Sequence, residues 1–257
     1  MLELRGVFKT YLAGTVNETR LFNDLCLTVP KGQFVSVVGS NGSGKTSLLN
    51  IICGQTRQDA GSVFLSGRDI SREKEFRRYA SVGRVYQNPA MGTCGGMTLL
   101  ENIALADNKG RGYGLTPGTV KARIPHYKDL LAQLHLGLED KLHIQAAALS
   151  GGQRQAMALL MATMTPISFL ILDEHTAALD PKTAEVIMKL TDELVRAKQL
   201  TTLMVTHNLR HAAAYGDRLV MFDAGKIAWD FQDADKAALK AEDVFRLFTQ
   251  MSTGYGG

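Results

Sequence analysis

The stretch FVSVVGSNGSGKTSLLNIICG, residues 34–54, joins three kinds of sequence in a fixed order. Phe34, Val35, Val37 and Val38 make a short, continuous apolar run with β-branched character, the pattern of a strand buried on both faces. A glycine-rich run follows, and then Leu48, Leu49, Ile51 and Ile52 recur at helical spacing. The middle fits G-x-x-x-x-G-K-[ST] with Gly39, Gly44, Lys45 and Thr46. Glycines in such a loop let backbone N–H groups turn inward around phosphate oxygens, and the following helix adds its positive dipole end. Lys45 is then expected to reach the β- and γ-phosphates of a nucleotide, and Thr46 to ligate Mg2+.

Outward from this loop, further apolar runs alternate with helical patterns. VGRVYQ ends at Gln87, FLILDE at Asp173 and Glu174, and LMVTH at His207; RLVMFD follows. Strands of this kind, alternating with helices, predict a parallel sheet whose ligands lie at the carboxyl ends of its strands. Gly39, Gln87, Glu174 and His207 are therefore expected to converge on one ligand. Residues 1–33 read instead as antiparallel strands (LELRGVF, LCLTV), and SVFLSGR, residues 62–68, as another hairpin element. Helical patterns dominate residues 88–166, behind the loop NPAMGTCGGMT (88–98), and suggest an inserted helical subdomain. DAGKIA, residues 223–228, reads as a tight turn. AEDVFRLFTQM places Val244, Leu247, Phe248 and Met251 on one helical face, and STGYGG beyond it reads as a frayed tail.

Two acidic residues close FLILDE. A carboxylate in the position of Asp173 can hold Mg2+ through water, and the next, Glu174, points elsewhere and can polarise an attacking water. A second anion-type helix start stands at LSGGQRQA, residues 149–156. Ser150 and Gln153 form a capping box there. Gly151 and Gly152 cost roughly 1 kcal/mol each relative to alanine in a helix, which favours a role for bare backbone near an anion. No lysine stands at the required spacing, so this loop would complete a site whose lysine lies elsewhere; if that is a second copy of the chain, two copies make two composite sites.

Composition excludes several classes. The net charge of +4, with signs mixed, is too mild for a nucleic-acid surface. SREKEFRRYA, residues 71–80, alternates in sign and reads as a solvated helix face, and Arg84 is grouped with the surface positions. Cys26, Cys53 and Cys94 stand far apart, which suggests neither zinc nor a disulfide framework and fits a reducing compartment. The beginning of the chain lacks the shape of a signal peptide, and no apolar run approaches the ~20 residues that span a bilayer. His126, His135, His143 and His211 lack ligand spacing; His175 reads as structural.

With GSNGSGKTS, VYQNP, LSGGQ, FLILDEHTAALD and VTH in this order, the chain resembles the nucleotide-binding subunit of an ATP-binding cassette (ABC) transporter over nearly its whole length. The resemblance implies an α/β fold of the P-loop NTPase type. Residues 1–87 and 167–235 would form a RecA-like parallel core with an N-terminal antiparallel β subdomain, 88–166 the inserted α-helical subdomain, and 236–257 a C-terminal helix and tail. It implies ATP and Mg2+ as ligands and a head-to-tail dimer in which each ATP lies between one copy's P-loop and the other's signature loop. On that pattern Gly39, Ser40, Asn41, Gly42, Ser43, Gly44, Lys45, Thr46 and Ser47 hold phosphates, and Thr46, Gln87 and Asp173 serve Mg2+. Ser150 and Gly152 touch the γ-phosphate from the opposite copy, with Gly151 and Gln153 beside them in the nucleotide-binding signature loop. Glu174 is the base, His207 the switch histidine, and Asp180 the residue crossing the dimer interface. Tyr11 is the candidate to stack on adenine, with Phe8 close by and a core role open. His175 stands where the family commonly has proline.

GTVNE (14–18), MGTCGGMTLLENIALADNKG (91–110), LSGGQRQAMALLMATMT (149–165) and LTTLMVTHN (200–208) further resemble the ATPases of a bacterial importer group. That group works with separate membrane permeases and tryptophan-type substrate-binding lipoproteins. The resemblance implies a peripheral protein held by its permease at the cytoplasmic face of the membrane, serving an amino-acid-like solute, with the permease-facing groove near Gln87 and residues 88–98. An exporter or lipoprotein-release ATPase, or a non-transport ABC ATPase, are the alternatives.

Overall fold

The computed structural model describes residues 1–110 and 118–253. In chain order the strands are β1 (Leu2–Tyr11), β2 (Thr19–Val29), β3 (Phe34–Gly39), β4 (Ala60–Leu65), β5 (Arg68–Asp69), β6 (Val82–Val85), β7 (Phe169–Asp173), β8 (Thr202–Val205), β9 (Arg218–Asp223) and β10 (Lys226–Gln232). The helices are α1 (Lys45–Cys53), α2 (Glu75–Arg78), α3 (Leu99–Asp107), α4 (Ile124–Ala132), α5 (Gly151–Thr163), α6 (Pro181–Ala197), α7 (Leu209–Ala214), α8 (Asp233–Ala238) and α9 (Ala241–Thr253).

The strands form two sheets. One has the order β2-β1-β4-β5 and is antiparallel; the other has the order β10-β9-β3-β8-β7-β6 and is parallel except for β10, which pairs antiparallel with β9. The parallel strands are mostly apolar because both of their faces are covered. Along β7, Phe169 and Ile171 join the core shared with α1 and the antiparallel sheet, while Leu170 and Leu172 join the core built with α3, α5 and α6. This period-2 division is what a strand buried on both sides requires. The helix α1 thus lies between the two sheets, with Leu48, Leu49, Ile51 and Ile52 fully buried.

Helix boundaries follow local chemistry. Thr98 and Glu101 form a capping box at the start of α3, as Ser150 and Gln153 do for α5, and Asp180 caps α6 ahead of Pro181. The loop 88–98 is tied down from both sides. The buried amide of Asn102 accepts from Cys94 N at 2.7 Å and donates to Cys94 O, Met97 O and Thr98 O, while Arg154 Nε donates to Thr93 Oγ1 at 2.9 Å. On α9, Val244 is buried, and Leu247, Phe248 and Met251 pack around the same cluster as Val38 and Met221. The tail expected to fray lies, beyond Thr253, outside the described residues.

Two polar readings need correction. Only Glu75–Arg78 of the segment 71–80 is helical, and Arg78 is buried rather than solvated. Its guanidinium donates to the carbonyls of Ile51 and Ile52 at the end of α1, and to those of Ser71 and Glu73. Arg satisfies the orphan carbonyls of a helix end better than water can inside a core. Arg84 is also buried, its side chain 5% exposed against Asp173. Alternating charge in sequence reports solvation only where the element is long enough to turn one face outward.

Candidate active site

The loop after β3 carries no side-chain cap for α1. Gly44 occupies the N-cap position with φ 107°, a conformation that an L side chain rarely adopts, and no acidic residue stands in the first helical turn. A Cβ there would also lie 2.8 Å from the Phe22 ring. The first amides of α1 are therefore open to an external anion, in contrast to those of α3 and α5, which have capping boxes.

Those amides face a cleft of about 190 Å³ lined by Asn41, Gly42, Gly44, Lys45, Thr46, Ser47, Glu174 and His207, with Leu21 at its edge. Lys45 is buried, its Nζ donating to Gly39 O at 2.7 Å and Ser40 O at 2.8 Å. Burial pushes its ammonium below the ordinary lysine range, and the Glu174 carboxylate partly offsets this. Ser43 Oγ is buried without a partner. A buried cation beside open helix amides and a spare hydroxyl fits a polyphosphate. Among the described residues no cluster of three acidic, His or Cys groups could hold a metal by itself. A divalent ion here would take most of its oxygens from phosphate and water, as Mg2+ commonly does.

Glu174 directly follows β7 and has φ 48°, an uncommon value for a residue with a Cβ. The left-handed turn costs roughly 1–2 kcal/mol and aims the carboxylate away from the strand line followed by Asp173. Its amide donates to Val205 O at 2.9 Å, which anchors the turn on β8. His207 Nε2 lies 2.6 Å from Glu174 Oε1. The two groups thus meet in the cleft that Lys45 also lines. A carboxylate so held can take a proton from water, and the imidazole can fix its orientation.

The remaining expected residues are distributed differently. Gly39 and Ser40 offer their carbonyls to Lys45. Tyr11 OH donates to Ser47 Oγ at 3.0 Å, with Lys9 Nζ 5.3 Å from its ring centroid, so the ring sits beside the loop. Gln87 lies exposed beyond the end of β6, and neither it nor Asp173 lines the cleft; Asp173 Oδ2 accepts from Arg84 Nη2 at 2.7 Å. Ser150, Gly151 and Gly152 do not line it either. Ser150 Oγ accepts from Gln153 N, and Gln153 Oε1 accepts from Ser150 N, which leaves the amides of Gly151 and Gly152 outside the box. Gly152 has a second reason to be glycine: a Cβ would collide with Thr183 Cγ2, so α5 and α6 could not approach. Asp180 Oδ1 accepts from Thr183 N at 3.1 Å, and these Thr183 contacts hold its carboxyl below the usual range.

Sequence reasoning passed over three polar residues that shape the surroundings. Asn102 and Arg84 are described above; Gln155, fully buried in α5, donates to Tyr86 O at 3.2 Å and ties α5 to the segment before Gln87. Polar residues at apolar positions of a helix or strand were the available signal. A second cleft, of about 310 Å³, opens beside that segment, lined by Tyr79, Arg84, Tyr86, Gly92, Lys109 and Met161 among others.

His175 is structural, as expected. Thr191 Oγ1 donates its one hydrogen to Ile187 O, so it accepts from His175 Nε2 at 3.1 Å, which assigns the Nε2–H tautomer. Burial, with the His211 charge second, pushes this imidazole down to about 3. The folded state then stays neutral at His175 while the unfolded chain protonates near pH 6.5, so stability is complete above that pH and declines as pH falls toward 3. His175→Gln is expected to flatten the pH dependence of the unfolding free energy between pH 6.5 and 5 by up to ~1.4 kcal/mol per pH unit, and that of the melting temperature with it. Thermal melts of both proteins across that range check this; parallel curves would contradict it.

The family model for ABC transporters matches residues 22–177. The tyrosine transport ATP-binding protein of Clostridioides difficile (strain R20291) is 41% identical over 248 residues, covering 96% of this chain and 98% of that one. Methionine import ATP-binding protein MetN 1 of Rhodopseudomonas palustris (strain ATCC BAA-98 / CGA009) is 34% identical over 243 residues; the match covers 93% of this chain and 62% of that longer protein. Among solved structures, a dimeric ATP-binding cassette in a post-hydrolysis state with ADP and Pi superposes with TM-score 0.76 at 28% identity, over 90% of this chain and 98% of that one. A cassette in its ADP conformation shares the fold, with TM-score 0.79 at 24% identity. The family match over residues 22–177, together with a relative 41% identical along nearly the whole of both chains, places this chain in the ABC transporter family as an ATPase.

Proposed function

We propose that the chain is the ATPase of an uptake system for an amino-acid-like solute, with tyrosine or a related aromatic amino acid as its cargo. The observation that carries this is the match to a tyrosine transport ATP-binding protein along almost the full length of both chains. No described helix is long and apolar enough to cross a membrane, so a separate permease supplies the path. The cleft beside Tyr86 and Gly92 is the docking groove for that permease at the cytoplasmic face, with a substrate-binding lipoprotein delivering solute outside. The helices between residues 88 and 166 act as the inserted subdomain that carries the signature loop.

Two copies work head to tail. Lys45 and the amides from Gly42 to Ser47 hold the β- and γ-phosphates of ATP, while Tyr11 supports the adenine. Thr46, Asp173 and Gln87 would hold Mg2+, which when bound neutralises charge between the β- and γ-phosphates. From the opposite copy, Ser150 and the amides of Gly151 and Gly152 meet the γ-phosphate, and Asp180 contacts the interface. Water attacks the γ-phosphorus, its proton passes to Glu174, and the bond to the bridging oxygen breaks to release ADP. His207 keeps the Glu174 carboxylate aimed during that transfer. Splitting the clamp between copies makes hydrolysis depend on closure, and opening follows phosphate release.

Deleting the gene in its host and measuring uptake of labelled solutes tests the cargo. Loss of tyrosine uptake, restored by the wild-type chain but not by Lys45→Met, is the expected result. Unchanged uptake of aromatic amino acids together with loss of another solute would reject it.

A further inference from the structure

We propose that Arg84 is a positioning residue that presents the Asp173 carboxylate to Mg2+. This rests on the reading above that Asp173 serves the metal. Strand pairing sets Arg84 of β6 beside Ile171 of β7. Phe169 and Ile171 face α1, so Asp173, two residues further along the strand, leaves the sheet on that same side. The guanidinium lies between that strand end and the far end of α1. Nη2 donates to Asp173 Oδ2 at 2.7 Å, and Nη1 donates to Asn50 Oδ1 at 3.3 Å and Gln55 Oε1 at 2.9 Å. The Tyr86 ring covers it, with the guanidinium carbon 4.8 Å from the ring centroid.

The pair is closed on one side and open on the other: the Arg84 side chain is 5% exposed and that of Asp173 is 18%. Fold stability alone gives little reason for the arrangement. A buried ion pair can often be exchanged for apolar side chains without loss, and here Nε is left buried and unpartnered. What the arrangement does accomplish is orientation. One carboxylate oxygen is committed to a planar fork that Asn50 of α1 and Gln55, just beyond that helix, hold in place, which restricts the rotation of the other. Carboxylates that serve metals are commonly fixed by hydrogen bonds of this outer kind. Arg84 also lines the second cleft, so its position answers to whatever fills that groove.

The test is binding of a fluorescent ATP analogue to the full chain, titrated with Mg2+ and repeated in EDTA. Arg84→Gln is expected to need on the order of tenfold more Mg2+ for half-maximal binding, with affinity in EDTA unchanged. A purely structural role would weaken binding equally with and without the metal, and that result would overturn the proposal. So would an Arg84→Gln protein with the wild-type Mg2+ requirement while Asp173→Asn needs more. If Asp173→Asn itself has the wild-type requirement, the metal reading of Asp173 fails, and the proposal with it. Arg84→Lys keeps the charge but not the planar fork and is expected to fall between wild type and Arg84→Gln. Should the Gln variant not fold, Arg84→Lys carries the test alone, and a wild-type Mg2+ requirement would overturn the proposal.

Discussion

Glu174→Gln is expected to bind ATP and to lose turnover by ~100–10,000-fold, the range for removal of a general base. The substitution keeps size and shape. The Gln carbonyl can still accept from His207 Nε2, which reaches Glu174 Oε1 at 2.6 Å in the wild type. The left-handed backbone at Glu174 is retained, because its amide stays bonded to Val205 O. What disappears is the acceptor for the water's proton. A second consequence follows from charge. Glu174 lines the cleft of about 190 Å³ in which the γ-phosphate is proposed to sit, so a neutral side chain there would remove a repulsion and ATP is expected to bind more tightly. With ATP bound and not consumed, the two-copy assembly should persist. Steady-state hydrolysis, nucleotide binding and the mass of the ATP-loaded variant together check this. Hydrolysis at the wild-type rate would remove Glu174 from the role of base, and a single-copy mass with ATP bound would remove the composite site.

Lys45→Met should lower kcat/KM for ATP by ~100–1,000-fold, the loss typical of deleting one preorganised electrostatic contact to developing charge. Lys45 is buried and its Nζ is held by Gly39 O and Ser40 O. It is therefore set in place before any nucleotide arrives. Burial already pushes its ammonium toward the neutral form, so the protein carries a cation that its own surroundings disfavour. Methionine has similar length and no charge to desolvate. The melting temperature of Lys45→Met is therefore expected to stay level or rise while activity falls, a trade of stability for function. Calorimetry alongside hydrolysis assays measures both. A marked fall in melting temperature would mean that the two carbonyl contacts outweigh the cost of burying the charge.

Much of this was readable along the chain because the information is local. Residues 34–54 specify strand, turn and helix within a few bonds of one another. The glycine at position 44 is required by its own backbone angle, and Lys45 reaches carbonyls only five and six residues away. Strand ends at Asp173, Glu174 and His207 were legible because period and composition mark a buried parallel strand wherever it lies. The convergence of Glu174 and His207 with the P-loop followed from the rule that such strands share one carboxyl edge. The capping box at Ser150 needed only its own four residues.

Other features depended on which residues meet from distant parts of the chain. Arg84 and Arg78 read as solvated charge, yet one closes on Asp173 and the other on the end of α1, because the contacts that bury them come from segments distant in sequence. Gly152 suggested bare backbone for an anion, while its contact with Thr183 comes from the packing of α5 on α6. The sequence by itself determined the glycine-rich loop ahead of α1, the strand pattern and the helix caps, since hydrogen bonds and steric limits over a few residues decide these. Only the tertiary structure decided which buried charges pair and which glycine is pressed by a neighbouring helix, because pairing and close contact depend on distances between segments that no local pattern encodes.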